Sequence, residues 1–133
     1  GNVVIGDGVL IGNSSEVKNS IIFEKAEISH FNYVGDSVVA PKAHMSAGSI
    51  TSNLKLDSSQ VNVIYNEHKI PTGMNKFGAF LGDHCQIGCN AILNPGSIIG
   101  AESVVYPLIN FRGYLPRRHI CKLAQSQSVV IRF

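Results

Sequence analysis

The 133-residue sequence contains no tryptophan, only three cysteines and no run of about 18 apolar residues. Without a long apolar run, we expect no membrane-spanning helix. Cys85, Cys89 and Cys121 follow neither a CxxC nor a zinc-finger spacing, and their odd number gives no disulfide framework. We therefore expect a reduced, cytoplasmic compartment and no metal site.

Charge is also scarce in this chain. Charged residues make up 15% of the sequence and hydrophobic residues 44%, which excludes a disordered chain because disorder requires the opposite balance. A formal net charge of +2, with no basic patch interleaved with aromatics, argues against a nucleic-acid partner. The low charge leaves much of the surface uncharged, as expected if some of it is buried between subunits.

A period of six residues dominates the sequence. Apolar residues recur at this spacing in two blocks, at Ile5, Ile11 and Val17 and again at Leu81, Ile87, Leu93, Ile99, Val105 and Phe111. A glycine follows several of them, and glycine suits a tight corner because it tolerates positive φ. The period fits neither an α-helix nor a plain strand. It fits a chain that makes a short strand, turns a corner and repeats, so that three faces close one coil of eighteen residues.

This pattern is typical of the single-stranded left-handed parallel β-helix built from hexapeptide repeats, an all-β fold. We expect Ile5, Ile11, Leu81, Ile87 and Ile99 to point into the prism. Flat faces pack naturally around a threefold axis, so we also expect a homotrimer with sites in the grooves between neighbouring prisms.

Two segments leave the period of six. Residues 54–78 are polar and turn-like around the alternating segment 61–65, and we expect an extruded loop there, of the kind that often carries function. The sequence Leu115-Pro116-Arg117-Arg118 predicts an end of the β-helix, which gives a β-helix over 1–113 and a C-terminal tail over 114–133. Because residue 1 already lies within a repeat, we expect further coils or a domain before it.

The segment Ser29-His30-Phe31-Asn32-Tyr33-Val34-Gly35-Asp36 interrupts the repeat with bulky polar residues. It resembles the active-site stretch of the acetyltransferase domain of bacterial bifunctional N-acetylglucosamine-1-phosphate uridyltransferase. Further matches follow in the same order, in the segments 16–19, 46–53, 75–77 and 81–83. The resemblance covers roughly residues 10–105. Its specific part is the motif from His30 to Asp36, because Ile-Gly repeats occur in every hexapeptide protein.

The resemblance implies acetyl transfer from acetyl-coenzyme A to the amine of an amino sugar phosphate. It makes His30 the general base, a role that suits a side chain titrating near neutral pH. Lys18 and Tyr33 would hold the phosphate and hydroxyls of the sugar, and Lys76 would assist. His44 stands where the family has an asparagine that contacts the sugar.

The same resemblance implies three coenzyme contacts. The backbone N–H of Ala47 would lie close to the thioester oxygen, where a donor can stabilise an oxyanion. Asn53 would lie near the reactive end of the coenzyme, and Cys89 replaces a coenzyme-facing serine of the family. The five histidines lack the close spacing of the zinc-binding carbonic anhydrases that share this fold, so the resemblance implies no metal.

Other features favour different functions. Tyr106-Pro107-Leu108 stands where the family has small residues along the groove for the pantetheine arm, and bulky groups there would narrow it. Several runs also resemble stand-alone hexapeptide proteins related to UDP-N-acetylglucosamine pyrophosphorylase, whose substrate is open. The alternatives are therefore a non-catalytic trimer that binds a sugar or nucleotide sugar, and the C-terminal trimerisation domain of a nucleotidyltransferase.

Overall fold

The computed structural model describes all residues, 1–133, and consists of short β-strands without any α-helix. None of its segments is a helix able to span a membrane. The nineteen strands are β1 Val3–Ile5, β2 Leu10–Ile11, β3 Glu16–Lys18, β4 Ser20–Ile22, β5 Glu27–Ile28, β6 Tyr33–Gly35, β7 Val38–Val39, β8 His44–Met45, β9 Ile50–Thr51, β10 Asn62–Tyr65, β11 His68–Pro71, β12 Phe80–Leu81, β13 Gln86–Ile87, β14 Ile92–Leu93, β15 Ile98–Ile99, β16 Val104–Val105, β17 Asn110–Phe111, β18 Tyr114–Leu115 and β19 Ile120–Cys121.

Three parallel sheets form the sides of a triangular prism. Sheet A contains β1, β4, β7, β12, β15 and β18, sheet B contains β2, β5, β8, β13, β16 and β19, and sheet C contains β3, β6, β9, β14 and β17. The chain visits A, B and C in turn, so it completes five coils and two sides of a sixth. The prediction of an all-β, left-handed parallel β-helix is confirmed. We name the corners of the prism the A–B, B–C and C–A edges.

The core is a set of inward-facing columns, one from each sheet. In sheet B the column runs from Ile11 through Ile28, Met45 and Ile87 to Val105, and its last four members are completely buried. Each aliphatic side chain is covered by the coil above and the coil below. Because each of the three sides of a coil contributes one such side chain, apolar residues recur every six residues. Of the residues predicted to lie inside, Leu81, Ile87 and Ile99 are buried as expected.

The same prediction is wrong for Ile5 and Ile11, whose surfaces remain 52% and 39% exposed. Both stand in line with buried residues, since Ile5 pairs with Ile22 and Ile11 with Ile28. They belong to the first coil, however, and no coil of this chain covers its outer side.

The glycines that directly follow the inward apolar residues have a different cause from the one predicted. At Gly88 the backbone does not adopt positive φ; instead, a Cβ there would overlap the backbone nitrogen of Pro107 in the next coil. The positive φ of that turn falls on Asn90, at 56°. Close stacking of successive coils, rather than left-handed backbone, therefore selects glycine at this place.

The predicted loop is an insertion at the C–A edge. Solenoid pairing stops after Thr51 and resumes at Phe80, and the inserted segment contains the antiparallel hairpin β10–β11. The ring of Tyr65 in this hairpin lies 4.8 Å from that of Tyr114, so the hairpin folds back along the prism.

The solenoid also continues past the predicted boundary at residue 113. Strand β18 pairs in parallel with β15, and β19 pairs with β16, so the paired coils end at Cys121. The fifth coil is shorter than the fourth, since Ile98 pairs with Phe80, 18 residues before it, and with Tyr114, only 16 residues after it. This shortening moves the apolar residues out of the period of six, which explains why the sequence pattern ends early.

Candidate active site at the B–C edge

The B–C edge is a stack of similar turns, and the predicted base lies in one of them. Backbone N–H groups of Gly48, Asn90 and Leu108 donate to the carbonyl oxygens of His30, Ala47 and Cys89 respectively, each at 3.0 Å. These bonds join each turn to the one below it. His30, Ala47 and Cys89 therefore occupy the same place in three successive turns, and the predicted base shares one column with two of the predicted coenzyme contacts.

The turn that carries His30 is held by a buried asparagine. Asn32 is only 3% exposed, and its side-chain amide donates to the Ser46 carbonyl at 2.8 Å and to the Ser49 carbonyl and hydroxyl at 3.0 Å. Its side-chain oxygen accepts the backbone N–H of His30 at 3.0 Å. Such a satisfied buried polar group fixes local geometry. The His30 side chain is left exposed at the edge.

Asn32 is a positioning residue that sequence reasoning did not single out. The available signal was its place inside the interrupting motif, where the repeat would put a small or aliphatic residue. A polar side chain at such a position requires hydrogen-bond partners inside the prism.

Two backbone donors in this column are free. The N–H groups of Ala47 and Cys89 donate to no acceptor within the chain, whereas that of His30 is taken by Asn32. Free, fixed N–H groups at the surface are suitable donors for an oxygen that carries negative charge. The column therefore combines an exposed imidazole with two backbone donors.

A second polar cluster lies on the outer face of sheet C and reaches the C–A edge. The Tyr33 ring lies over Gly35, where a Cβ would stand 2.5 Å from the phenol oxygen. The Lys18 ammonium is 5.8 Å from the centre of this ring. Asn53 donates to the Tyr33 hydroxyl at 3.1 Å and to an Asp36 carboxylate oxygen at 2.5 Å. The cluster brings together Lys18 and Tyr33, two of the predicted sugar-binding residues, and adds Asp36, which sequence reasoning did not select.

The remaining predicted residues are more dispersed. Asn53 belongs to the sheet C cluster, so the structure does not bring it together with Ala47 and Cys89. Lys76 is exposed at the base of the insertion, where it bridges Leu54 through the backbone. His44 lies on the outer face of sheet B, with its Nδ1 2.9 Å from a Glu27 carboxylate oxygen.

The bulky segment 106–108 lies one turn beyond Cys89 on the B–C edge. Pro107 stacks directly on Gly88, while Tyr106 and Leu108 remain 44% and 60% exposed. Their side chains therefore project from the same edge as His30. No group of three or more His, Cys, Asp or Glu side chains is arranged to hold a metal ion.

Comparison with known proteins reveals clear relatives, although no family model matches the chain. A bifunctional sugar-1-phosphate nucleotidylyltransferase/acetyltransferase of Sulfurisphaera tokodaii is 43% identical over 97 residues, which are 73% of this chain and 24% of the relative. The bifunctional protein GlmU of Methanococcus vannielii is 36% identical over 104 residues, or 78% of this chain and 25% of the relative. The chain thus spans about a quarter of the length of these curated relatives.

A solved structure shares the architecture as well. PerB from Caulobacter crescentus, crystallised with CoA and GDP-perosamine, superposes with a TM-score of 0.67 at 21% identity, over 89% of this chain and 46% of PerB. The chain has the fold of the hexapeptide-repeat β-helix proteins. In this hexapeptide-repeat protein the regular coils provide a rigid edge, and the His30 turn is the place where polar side chains replace the repeat.

Proposed function

We propose that this hexapeptide-repeat protein transfers an acetyl group from acetyl-coenzyme A to the amine of an amino sugar phosphate. The observation that carries the proposal is the column at the B–C edge, where an exposed His30 stands next to free backbone donors at Ala47 and Cys89. The relative from S. tokodaii, 43% identical over the matched region, is named for an acetyltransferase activity, which supports the same reaction.

The residues of the column have separate roles in this proposal. Acetyl-coenzyme A supplies the acetyl group as an activated thioester. The amine nitrogen forms an amide bond with the acetyl carbon as the C–S bond of the thioester breaks. His30 accepts the proton that the amine loses and returns it to the departing coenzyme A thiolate. The N–H of Ala47 offers a hydrogen bond to an oxygen that gains negative charge beside it. The small side chain of Ala47 suits the close passage of a thin pantetheine arm along the edge.

The acceptor sugar would contact the face of sheet C. Lys18 supplies positive charge for a phosphate, and the Tyr33 hydroxyl, oriented by Asn53, supplies a hydrogen-bonding group for a sugar hydroxyl. Lys76 lies exposed at the base of the insertion, where it would add a second positive charge.

The proposed active form is a cytoplasmic homotrimer. The outer face of sheet A supports it, because every residue of its central column is apolar. These residues are Val4, Ile21, Val38, Phe80, Ile98 and Tyr114. Among them, Val4 and Ile21 are 62% and 42% exposed in the single chain, and exposed apolar side chains of this kind favour contact with another subunit.

A second candidate function rests on Tyr106 and Leu108. Both side chains project from the same edge as His30, and in a trimer they would narrow a groove for the coenzyme. In that case the protein would bind a sugar phosphate or nucleotide sugar without transferring an acetyl group.

An acetylation assay distinguishes the two candidates. With acetyl-coenzyme A and glucosamine 1-phosphate, we expect release of free coenzyme A, and the substitution His30→Asn should lower kcat by roughly 10²- to 10⁴-fold. The matched control is His84→Asn, which changes an exposed histidine in a turn at the A–B edge and should leave kcat unchanged. Absence of turnover combined with retained binding of glucosamine 1-phosphate would favour the non-catalytic function instead.

Calorimetry with acetyl-coenzyme A tests the groove directly. Binding that disappears in the variant Ala47→Phe would show that the coenzyme lies along the B–C edge. Binding unaffected by this variant would contradict the proposed position of the coenzyme.

A further inference from the structure

The inserted hairpin β10–β11 has two chemically different faces. Val63, Tyr65 and Ile70 lie on one face and, with Phe80 and Ile98, line an apolar cavity beside sheet A. Asn62, Ile64 and Lys69 lie on the opposite face, toward the C–A edge. This division follows from the alternation of side chains along paired strands.

The hairpin is held firmly against the prism. Val61, at its base, is only 1% exposed, and its carbonyl accepts the Thr72 hydroxyl at 2.6 Å. At the C–A edge the hairpin approaches Gly96 so closely that a Cβ there would lie 2.6 Å from the Asn62 carbonyl oxygen. Lys69 is therefore presented from a fixed element, as a binding site requires.

A basic cavity of about 180 Å³ lies between this hairpin face and the C–A edge. Lys55, Lys69 and Arg112 line it together with the turn at Pro95 and Gly96, and no carboxylate lines it. Lys69 and Arg112 form no ion pair within the chain, and the guanidinium of Arg112 reaches only the amide oxygen of Asn94, at 3.5 Å.

Lys55 is the only one of the three that forms an ion pair within the chain. Its ammonium donates to the Ser59 hydroxyl at 2.5 Å and lies 3.9 Å from the Asp57 carboxylate, which lines an adjoining cavity instead. Three basic residues thus line the cavity, and a single carboxylate, that of Asp57, pairs with one of them. The remaining positive charge would stabilise an anion bound there.

We propose that Lys55, Lys69 and Arg112 bind a phosphate group of a phosphorylated small molecule. The site rests on the charges around the hairpin and is independent of acetyl transfer at the B–C edge. Its volume is below the range of roughly 300–1,000 Å³ typical of whole-ligand sites, which fits a single charged group. The adjoining cavity of about 440 Å³ shares Lys55, Pro95 and Arg112 and is large enough for the rest of the ligand.

The larger cavity has a mixed lining, in which Leu54, Leu56 and Ile92 stand beside polar residues. Ser52, Asn94 and Asn110 face it, and their hydroxyl and amide groups suit the hydroxyls of a sugar or a ribose. A phosphate joined to such a group occurs both in a sugar phosphate and in coenzyme A. The shared chemistry is the phosphate ester, and the experiment separates the two sources.

Calorimetry on the complete chain with three probes tests the site: inorganic pyrophosphate, glucosamine 1-phosphate and coenzyme A. We expect Lys69→Gln and Arg112→Gln each to raise the Kd of pyrophosphate by roughly five- to twentyfold, because charge-assisted hydrogen bonds to phosphate are lost. The matched control Lys42→Gln removes one positive charge at the A–B edge and should change the Kd by less than about twofold. Whichever of the two organic probes shows the same loss is the source of the phosphate.

A charge-preserving variant separates binding from folding. Lys69→Arg keeps the cation and should bind pyrophosphate within about twofold of the unchanged protein. The proposal is overturned if Lys69→Gln and Arg112→Gln match the Lys42→Gln control for all three probes, or if the unchanged protein binds none of them. Because every readout is a Kd, these results do not depend on whether the chain transfers acetyl groups.

Discussion

The B–C and C–A edges of the same prism have opposite designs. At the B–C edge successive turns have the same form, with a positive φ at Phe31, Gly48, Asn90 and Leu108 and one backbone hydrogen bond from each turn to the one below. At the C–A edge the chain leaves the solenoid after Thr51, builds a hairpin and returns at Phe80.

The difference shows two ways in which a repetitive fold can acquire a site. At the regular edge a site arises by substitution, because one turn carries His30 where the next two turns carry the smaller Ala47 and Cys89. At the interrupted edge a site arises by insertion, because the hairpin brings Lys69 next to a turn that lies far away in the sequence. Substitution preserves the register of the coils, whereas insertion adds surface that the coils do not have.

The largest change in stability is expected at the regular B–C edge. Asn32→Ala removes a buried amide that satisfies Ser46, Ser49 and the N–H of His30, so we expect a loss of about 3 kcal/mol in the free energy of unfolding. Urea unfolding followed by circular dichroism measures it. Asn13→Ala, an exposed asparagine of the same edge, should lose no more than about 0.5 kcal/mol. Equal losses in both variants would mean that the turn carrying His30 is stable without the hydrogen bonds of the Asn32 side chain.

The next effect concerns the docking of the insertion. Gly96 has φ of 84° and touches the hairpin, whereas Gly113 has φ of 99° and open space within 4 Å of the point where a Cβ would stand. Gly113→Ala therefore suffers only backbone strain, about 1 kcal/mol, and Gly96→Ala should lose about 1 kcal/mol more. Chemical denaturation of the two variants gives the difference. If both lose the same amount, the hairpin does not depend on close approach at Gly96.

A smaller effect should come from the tip of the hairpin. Tyr65→Ala removes the aromatic contact with Tyr114, and we expect it to destabilise the chain by about 1 kcal/mol and to speed amide exchange in β10 and β11. Tyr106→Ala is the control, because Tyr106 is similarly exposed and forms no aromatic pair. Unchanged amide exchange in β10 and β11 after Tyr65→Ala would show that contacts at the base of the hairpin are sufficient to hold the hairpin in place.

The smallest effect is expected at the A–B edge, which has neither a site nor an insertion. Arg118 and Arg117 hold the pKa of the Glu102 carboxyl at about 2. A lowered pKa means that the pair stabilises the fold above the usual pKa near 4.5 and that this contribution is lost as the pH falls toward 2. Glu102 is exposed, so Glu102→Gln should lower the Tm by no more than about 2 °C at pH 7.

The pH dependence supplies the control for this last variant. Melting curves of Glu102→Gln and the unchanged protein should draw together as the pH falls toward 2, because protonation of the carboxyl removes its ion pairs with the two arginines. A difference that grows toward low pH would contradict the assigned direction of the pKa shift.

The sequence predicted the fold because the coil imposes one requirement on every sixth residue. Ile87 and Ile99 had to be aliphatic to fill the prism, and both are buried. Ile5 and Ile11 satisfy the same pattern, but burial also depends on a neighbouring coil, which a local pattern does not report. The coil pairing after residue 113 was not predicted for a related reason. Tyr114 and Ile120 still pair with the preceding coil, although they no longer follow the six-residue period.

Only the candidate site built from repeated turns could be predicted from the sequence. His30, Ala47 and Cys89 align because equivalent turns stack, so a motif in the sequence becomes a column in space. Lys69 and Arg112 meet only after the hairpin folds back across the C–A edge. Neither the spacing nor the composition of the insertion indicates that contact.

The docked hairpin also has a consequence for how the chain finds its native arrangement. Coils of nearly equal shape invite mispairing, because a strand displaced by one coil would still meet aliphatic residues and backbone partners. The contacts of Tyr65 with Tyr114 and of Asn62 with Gly96 tie the insertion to particular later coils. A chain misaligned by one coil would lose these contacts. The hairpin therefore makes the correct register of the coils more stable than the competing alignments.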